Sequence, residues 1–130
     1  MRTLLKISDA AVIAIHAVDR MGGNRDRLHS ASGMARALGV SYNHLSKVMQ
    51  RLTKAGFVSP LRGPKGGFAV TKKAGRATYM DIIEAIEGPL LFSDCLMRTR
   101  VCGRTNCAIS RLLTETNRKF EKVLSQKVMG

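Results

Sequence analysis

Three cysteines lie close together in the second half of the chain, at Cys95, Cys102 and Cys107. Six and four residues separate them, so the CxxC pairs that are typical of structural zinc sites do not occur. Iron–sulfur clusters accept looser spacing and need about four ligands. The spacing alone leaves open an iron–sulfur cluster, three thiols without a metal and a redox-active pair, and it modestly favours the cluster.

A cluster on these cysteines would need a fourth ligand from outside the loop. No histidine follows Cys95, so that ligand would be remote in the sequence, supplied by a second subunit, or exogenous. Arg98, Arg100 and Arg104 add positive charge to the loop. Such charge favours the thiolate form of cysteine and would offset the negative charge of a cluster.

Residues 41–70 contain a second set of candidate functional side chains, which lie along a predicted recognition helix. Apolar residues recur at positions 45, 48, 49 and 52, which is the spacing of one helical face. Ser41 is expected to cap the helix and Gly56 to follow its end. The opposite face carries amide and basic side chains and no acid: Asn43, Lys47, Gln50, Arg51 and Lys54. These side chains suit base edges and phosphates in a major groove, the alternative being a solvated basic face.

A basic, glycine-rich hairpin is predicted directly after this helix. Its strands are residues 57–59 and 68–70, and its turn is RGPKGG at residues 62–67. Glycine permits a tight turn and brings backbone N–H groups close to phosphate. A short helix over residues 31–38 and a turn at Gly39 precede the recognition helix. This order of elements is that of a winged helix-turn-helix.

Further helices are predicted on both sides of this unit. Residues 8–21 form the first helix, with Ser8 as its N-cap. Residues 79–87 form another, which starts in a capping box. Residues 71–76 between the hairpin and this helix are predicted to be a basic connector.

A last helix is predicted over residues 108–127. Its apolar residues recur at three- and four-residue steps, and the chain offers little remaining core for them to cover. We therefore expect this seam to pair with the same helix of a second subunit, the alternative being that it folds back on its own domain. A homodimer would place two recognition helices on a palindromic DNA operator.

The elements together predict a mainly α fold with a small β wing. Residues 1–76 are predicted to be a winged helix-turn-helix DNA-binding domain. Residues 77–130 are predicted to hold a connector helix, the cysteine loop and a dimerisation helix.

Composition and charge restrict the classes of partner and function. A net charge of +13 on 130 residues favours an anionic partner, nucleic acid first and a membrane surface second. No uncharged apolar stretch approaches ~18 residues and no signal-peptide core is seen, so we expect a cytoplasmic protein without a membrane partner. In a reducing compartment, an odd number of cysteines argues against a disulfide framework. The absence of a nucleotide-binding glycine motif argues against an enzyme.

Three segments in order carry a resemblance to a known family: SYNHLSKVMQRLTKAGFVSPLRGPKGGF, then MDIIEAIEGPL, then three cysteines before a long helix. The sequence resembles the IscR/NsrR-type iron–sulfur transcriptional regulators over nearly its whole length. The resemblance implies a homodimeric repressor or activator that binds double-stranded DNA. It also implies a [2Fe–2S] or [4Fe–4S] cluster near the dimer interface, whose assembly, loss or nitrosylation changes DNA affinity.

The resemblance also assigns roles to particular residues. Cys95, Cys102 and Cys107 match the cluster ligands, and Asp9 matches a first-helix aspartate that is the fourth, cross-subunit ligand in part of the nitric-oxide-sensing branch. Asp9 equally suits the positive end of a helix. Arg62 matches a wing arginine that enters the minor groove. The residues that we expect to contact DNA are Ser41, Tyr42, Asn43, His44, Lys47, Gln50, Arg51, Arg62 and Lys65.

One departure from the family pattern bears on the signal. The branch that senses demand for cluster assembly is expected to carry a histidine shortly after the third cysteine, where this chain has Ser110. The departure disfavours that branch and leaves redox, iron and nitric oxide as signals. Two alternatives stay open: a thiol switch on the same scaffold, with Cys102 and Cys107 oxidised together, and a cluster-bearing redox or electron-transfer protein.

Overall fold

The computed structural model of the chain describes residues 7–97, 102–103 and 105–129. Its elements in chain order are α1 (Asp9–Gly22), α2 (Ala31–Leu38), α3 (Tyr42–Lys54), β1 (Val58–Leu61), β2 (Gly67–Val70), α4 (Lys72–Arg76), α5 (Tyr79–Glu87) and α6 (Ala108–Leu124). The two strands form an antiparallel sheet. The prediction of a mainly α fold with a small β wing is confirmed.

A hydrophobic core joins α1, α3 and α5. Met21 of α1, Leu45 and Leu52 of α3, and Ile83 of α5 are among its largest fully buried side chains. α1 packs against both other helices and turns buried alanines at positions 11, 14 and 17 toward the core. Helix axes approach more closely where the contacting side chains are small. The core therefore fixes the recognition helix, α3, against both α1 and α5.

The predicted helix starts are formed as expected. Ser8, Ser30 and Ser41 each accept a hydrogen bond from the backbone N–H three residues further on, at 3.0 to 3.1 Å. Thr78 and Asp81 exchange the two hydrogen bonds of a capping box. Each cap typically contributes about 1 kcal/mol, because it satisfies a backbone donor that lacks a partner inside the helix.

The wing is held to the body of the protein by an additional backbone pair. β1 and β2 pair with Val58 opposite Val70. His29, which precedes α2, exchanges two 2.8 Å backbone hydrogen bonds with Phe68 of β2. A Cβ atom at Gly67 would lie 2.7 Å from the His29 carbonyl oxygen, so only glycine fits this approach. The loop before α2 and the wing consequently form one unit.

The segment predicted to be a connector contains a short helix. Thr71 is the N-cap of α4, and its hydroxyl accepts from the Ala74 N–H at 3.3 Å. The same hydroxyl donates to the Gly56 carbonyl at 2.7 Å, and Ala74 is fully buried. The predicted basic connector over residues 71–76 thus contains a five-residue helix, which was not predicted from the sequence.

The last helix is shorter than predicted, since α6 ends at Leu124 rather than at residue 127. The chain then turns back toward the start of α5, where the Tyr79 N–H donates to the Gln126 carbonyl and the Val128 N–H to the Ala77 carbonyl, each at 3.1 Å. Val128 and Met129 are buried in the core. These two residues lie beyond the predicted helix, and their burial was not predicted, because two apolar residues are too few to show a periodicity.

The predicted boundary after residue 76 stays a prediction. Ile82 and Ile83 of α5 lie in the same core cluster as α1 and α3, so the predicted carboxyl-terminal unit shares its packing with the DNA-binding unit.

Within the described ranges, no helix has the length and apolar character needed to cross a bilayer.

Candidate DNA interface and cysteine cavity

The recognition helix separates a buried face from an exposed polar face. Leu45, Val48, Met49 and Leu52 are at most 1% exposed. The side chains that face away from them are exposed: Asn43, Lys47, Gln50 and Lys54. The core therefore fixes α3 by one side and leaves an amide-rich, basic surface on the other.

The start of α3 lies beside the wing. Tyr42 is 56% exposed and lines a groove of about 370 Å³ together with Arg62 of the hairpin turn. His44 is half-buried. Ser41 is the N-cap, because its hydroxyl accepts from the His44 N–H at 3.1 Å. Of the DNA contacts predicted at residues 41–44, Tyr42 thus shares a groove with the wing.

Arg51 differs from its neighbours on α3. Its Nη1 donates a 3.1 Å hydrogen bond to the Ile86 carbonyl in the last turn of α5. A cation near the carbonyl end of a helix is stabilised by the helix dipole. Arg51 as a DNA contact stays a prediction, and the structure gives its guanidinium a role between two helices.

The tip of the wing presents exposed cations. Arg62 and Lys65 are both exposed, and the turn between them closes with a 2.9 Å hydrogen bond from the Gly66 N–H to the Gly63 carbonyl. Gly63 has a φ of +109°, a conformation that favours glycine. The tight turn places two positive side chains at the end of a supported hairpin.

The three cysteines line one cavity. Cys95, Cys102 and Cys107 surround a space of about 300 Å³ together with Leu96, Thr105, Asn106, Ile109 and Arg111, among others. Cys102 is exposed, and the other two are half-buried. Among the described residues, no three His, Cys, Asp or Glu side chains are grouped closely enough to hold a metal ion. Arg98, Arg100 and Arg104, the predicted source of positive charge, lie outside the described residues.

Two aspartates bear on the fourth ligand, and they occupy different places. Asp9 lies in the first turn of α1 and does not line the cavity within one chain, whereas Asp94 does. We did not predict Asp94 as a site residue, although its position next to Cys95 was the available signal. A role for Asp9 as a fourth ligand would require a second subunit and stays a prediction.

The end of α5 connects the cysteine loop to the DNA-binding surface. The Ile86 carbonyl accepts from Arg51 of the recognition helix. The Glu87 carboxylate accepts from the Ser8 N–H at 2.5 Å, immediately before α1. The chain then leaves α5 at Gly88 and enters the segment that carries Cys95. The end of α5 thus contacts α3 and the N-cap of α1, and the chain that follows it leads to Cys95.

An apolar surface lies on α6. The described chain buries no residue of this helix, and Ile109, Leu112 and Val123 are 44%, 58% and 54% exposed. Arg118 lies on the opposite helical face by the 3.6-residue period. An exposed apolar stripe of this kind is typical of a surface that interacts with another molecule.

A core-anchored recognition helix, a basic wing and an exposed amide-rich face define a winged helix-turn-helix transcriptional regulator. The chain belongs to the Rrf2 family, described as iron-dependent transcriptional regulators, whose model matches residues 7–129. It is therefore a DNA-binding regulator and not an enzyme, and the predicted family resemblance is confirmed.

Two curated relatives are also described as HTH-type transcriptional regulators. The chain is 34% identical to one from Aquifex aeolicus (strain VF5) over 96 residues, covering 74% of this chain and 67% of the relative. It is 32% identical to BadM from Rhodopseudomonas palustris over 83 residues, covering 64% and 53%. The chain thus spans between about half and two thirds of the length of these relatives.

Solved structures show the same fold. The chain matches CymR, the global cysteine regulator of B. subtilis, with a TM-score of 0.77 and 24% identity over 96% of this chain and 94% of that one. It matches T. potens IscR with a TM-score of 0.69 and 23% identity over 94% and 81%. At this level of identity the similarity concerns the fold alone.

Proposed function

We propose that this regulator is a homodimer that senses redox state, iron or nitric oxide through an iron–sulfur cluster held by its three cysteines. The observation that carries the proposal is that Cys95, Cys102 and Cys107 line one cavity, in the segment that follows α5. The description of the family as iron-dependent supports it.

The donor set fits an iron–sulfur cluster chemically. Cysteine thiolates are the usual ligands of such clusters, and the cavity wall adds apolar Leu96 and Ile109 and the cation of Arg111. When bound, a [2Fe–2S] or [4Fe–4S] cluster would supply a centre that reacts with oxidants and nitric oxide. Asp9 of the partner subunit is the proposed fourth ligand, and Asp94 is a second candidate within the same chain.

Transmission to DNA would run through the end of α5. A change in the cysteine segment acts on Gly88, next to the Ile86 carbonyl and the Glu87 carboxylate. Those groups hold Arg51 of α3 and the start of α1. A shift of this helix end therefore moves or releases the recognition helix, and DNA affinity changes with the state of the cysteines.

DNA recognition would divide between the helix and the wing. Asn43 and Gln50 have the amide groups that suit bidentate contacts to adenine, and Lys47 suits phosphate or guanine. Arg62 and Lys65 would contact the minor groove and the backbone beside it. The exposure of all five side chains supports these roles. Ser41, Tyr42 and His44 would complete the contact at the start of the helix.

The proposed dimer would form through the apolar stripe of α6. Ile109, Leu112 and Val123 are exposed on one face of a helix none of whose residues is buried within the described chain. Pairing with the same helix of a second copy would cover these residues on both sides. A two-fold dimer would place two recognition helices on the half-sites of a palindromic operator.

The first experiment is an ultraviolet–visible spectrum of protein purified without oxygen, with iron and sulfide counted per chain. We expect a brown protein with broad visible absorbance that C102A loses. T105A is the matched control, since Thr105 is another exposed residue of the same cavity wall, and it should keep the colour. A colourless protein that resists reconstitution would refute the cluster.

A thiol switch is the second candidate, because the three thiols share a cavity without forming a metal-binding group among the described residues. The fold is also that of S. aureus CymR, whose structure in an oxidised form matches with a TM-score of 0.70. In this case Cys102 and Cys107 would be oxidised together. DNA binding that responds to peroxide in iron-free protein would favour the switch, whereas dependence on iron would favour the cluster.

A further inference from the structure

A polar cleft lies between the wing tip and the end of α1. Its volume is about 580 Å³, and it is enclosed by the end of α1, the loop before α2, the start of α2 and the wing tip. The charged and titratable side chains on its wall are Arg20, Arg27, His29 and Lys65. No acidic side chain is among the described residues that line it. The cleft is therefore a positively charged concave surface, formed by separate parts of the chain.

The geometry of this cleft is fixed by backbone and side-chain hydrogen bonds. The two His29–Phe68 backbone bonds join the loop before α2 to the wing. The His29 Nε2 donates to the Asn24 carbonyl at 3.1 Å, which closes the loop on itself. Because the loop carries Arg27 and the wing carries Lys65, the two cations are held on one unit. Neither has to be brought to the other when a ligand binds, which lowers the entropic cost of binding.

The cleft continues the proposed DNA surface. Ser30 and Gly66 line both this cleft and the groove that contains Tyr42 and Arg62. A duplex that contacts the recognition helix and the wing would therefore meet the cleft next along its backbone. Arg20 and Arg27 are exposed, so their charges are available to such a ligand.

We propose that this cleft binds backbone phosphate of the DNA duplex and that Arg27 and Arg20 contact phosphates beyond the wing. The proposal rests on the proposed DNA-binding mode and extends its footprint to a surface outside the recognition helix and the wing. The contact is electrostatic and independent of base sequence, because the charged groups described on the cleft wall are cations, and cations neutralise phosphates whatever the bases beside them.

The test is the salt dependence of binding to a 30-base-pair duplex of random sequence, measured by fluorescence anisotropy with the full chain. Removal of one cation that neutralises a phosphate should make the slope of log K against log[KCl] shallower by about 0.9. We expect this change in R27Q and about twice this change in the R20Q/R27Q double variant. R118Q is the matched control, since Arg118 is an exposed cation on α6, on the face opposite to the apolar stripe, and its removal changes the net charge equally.

The possible outcomes distinguish a failure of the cleft contact from a failure of the proposed DNA-binding mode. Equal slopes for R27Q, R118Q and the unchanged protein, with a shallower slope for R62Q, would overturn the cleft and leave wing binding intact, since Arg62 lines the wing groove and not the cleft. No binding of the unchanged protein at low salt would instead refute the DNA-binding mode itself. Saturable binding of inorganic phosphate at Arg27, seen by nuclear magnetic resonance and not competed by duplex, would identify a free phosphate as the ligand and overturn the assignment to DNA.

Discussion

Replacing Arg51 by methionine should destabilise the protein in the absence of DNA. The substitution keeps the aliphatic stem and the helix propensity of the side chain, and it removes the 3.1 Å hydrogen bond from Nη1 to the Ile86 carbonyl. Hydrogen bonds to charged groups contribute about 1.5–3 kcal/mol. Because the Arg51 side chain is exposed overall, we expect about 1–2 kcal/mol. In urea this loss corresponds to a midpoint lowered by roughly 0.5–1 M.

Lys47→Met is the matched control for this experiment. Lys47 is an exposed cation of the same helix, so its replacement should change the free energy of unfolding by no more than about 0.5 kcal/mol. It should make the salt slope of DNA binding shallower by about 0.9. Protein concentration must be held constant, since dimerisation adds to the apparent stability. The reasoning is refuted if R51M unfolds at the same urea concentration as the unchanged protein and changes only the salt slope of DNA binding.

Three further predictions concern other parts of the molecule. Asn43→Ala should lower the preference for an operator obtained by in-vitro selection over a scrambled duplex, whereas Lys65→Gln should weaken both similarly; equal weakening by N43A would contradict base contact by Asn43. Leu112→Glu should shift the protein toward monomer in sedimentation, whereas Arg118→Gln, with the same net charge on the opposite face of α6, should not; an unchanged dimer in L112E would place the interface elsewhere. Met129→Ala should cost about 2 kcal/mol or more in thermal or urea unfolding because the side chain is 5% exposed, whereas Met97→Ala, at 53% exposure, should cost at most about 0.5; equal effects would show that the carboxyl-terminal segment does not pack in the core.

The local elements were predictable because their signals are local. Ser30, Ser41 and the pair Thr78–Asp81 mark helix starts that the structure forms. The apolar positions of α3 repeat at the helical period and are the buried ones. A cap and a periodicity depend on neighbours within four residues, so a single sequence contains the information needed to place them.

The contacts that join distant elements were not predictable in this way. Arg51 fits the basic face of α3 in sequence, yet its guanidinium donates to a carbonyl 35 residues further on. His29 pairs with Phe68, and Val128 returns to Ala77. None of these pairs has a sequence period or a motif, because each depends on where the core places two backbones. The sequence therefore predicts the exposed polar face of α3, whereas the hydrogen bonds between distant elements beneath it are seen only in the structure.

The position of Arg51 bears on how a signal could reach DNA. The hydrogen bond from Arg51 stabilises the arrangement in which the recognition helix lies against the end of α5. The Ile86 carbonyl that accepts this bond from α3 lies two residues before Gly88, where the chain enters the cysteine segment. A change of state in the cysteine segment would therefore act on this bond. An energy difference of about 1.4 kcal/mol changes an equilibrium tenfold at 25 °C, so making or breaking this one bond is of the size that a regulator needs. By that argument R51M should reduce the difference in DNA affinity between the two states of the cysteines, while K47M should lower both affinities and preserve the difference.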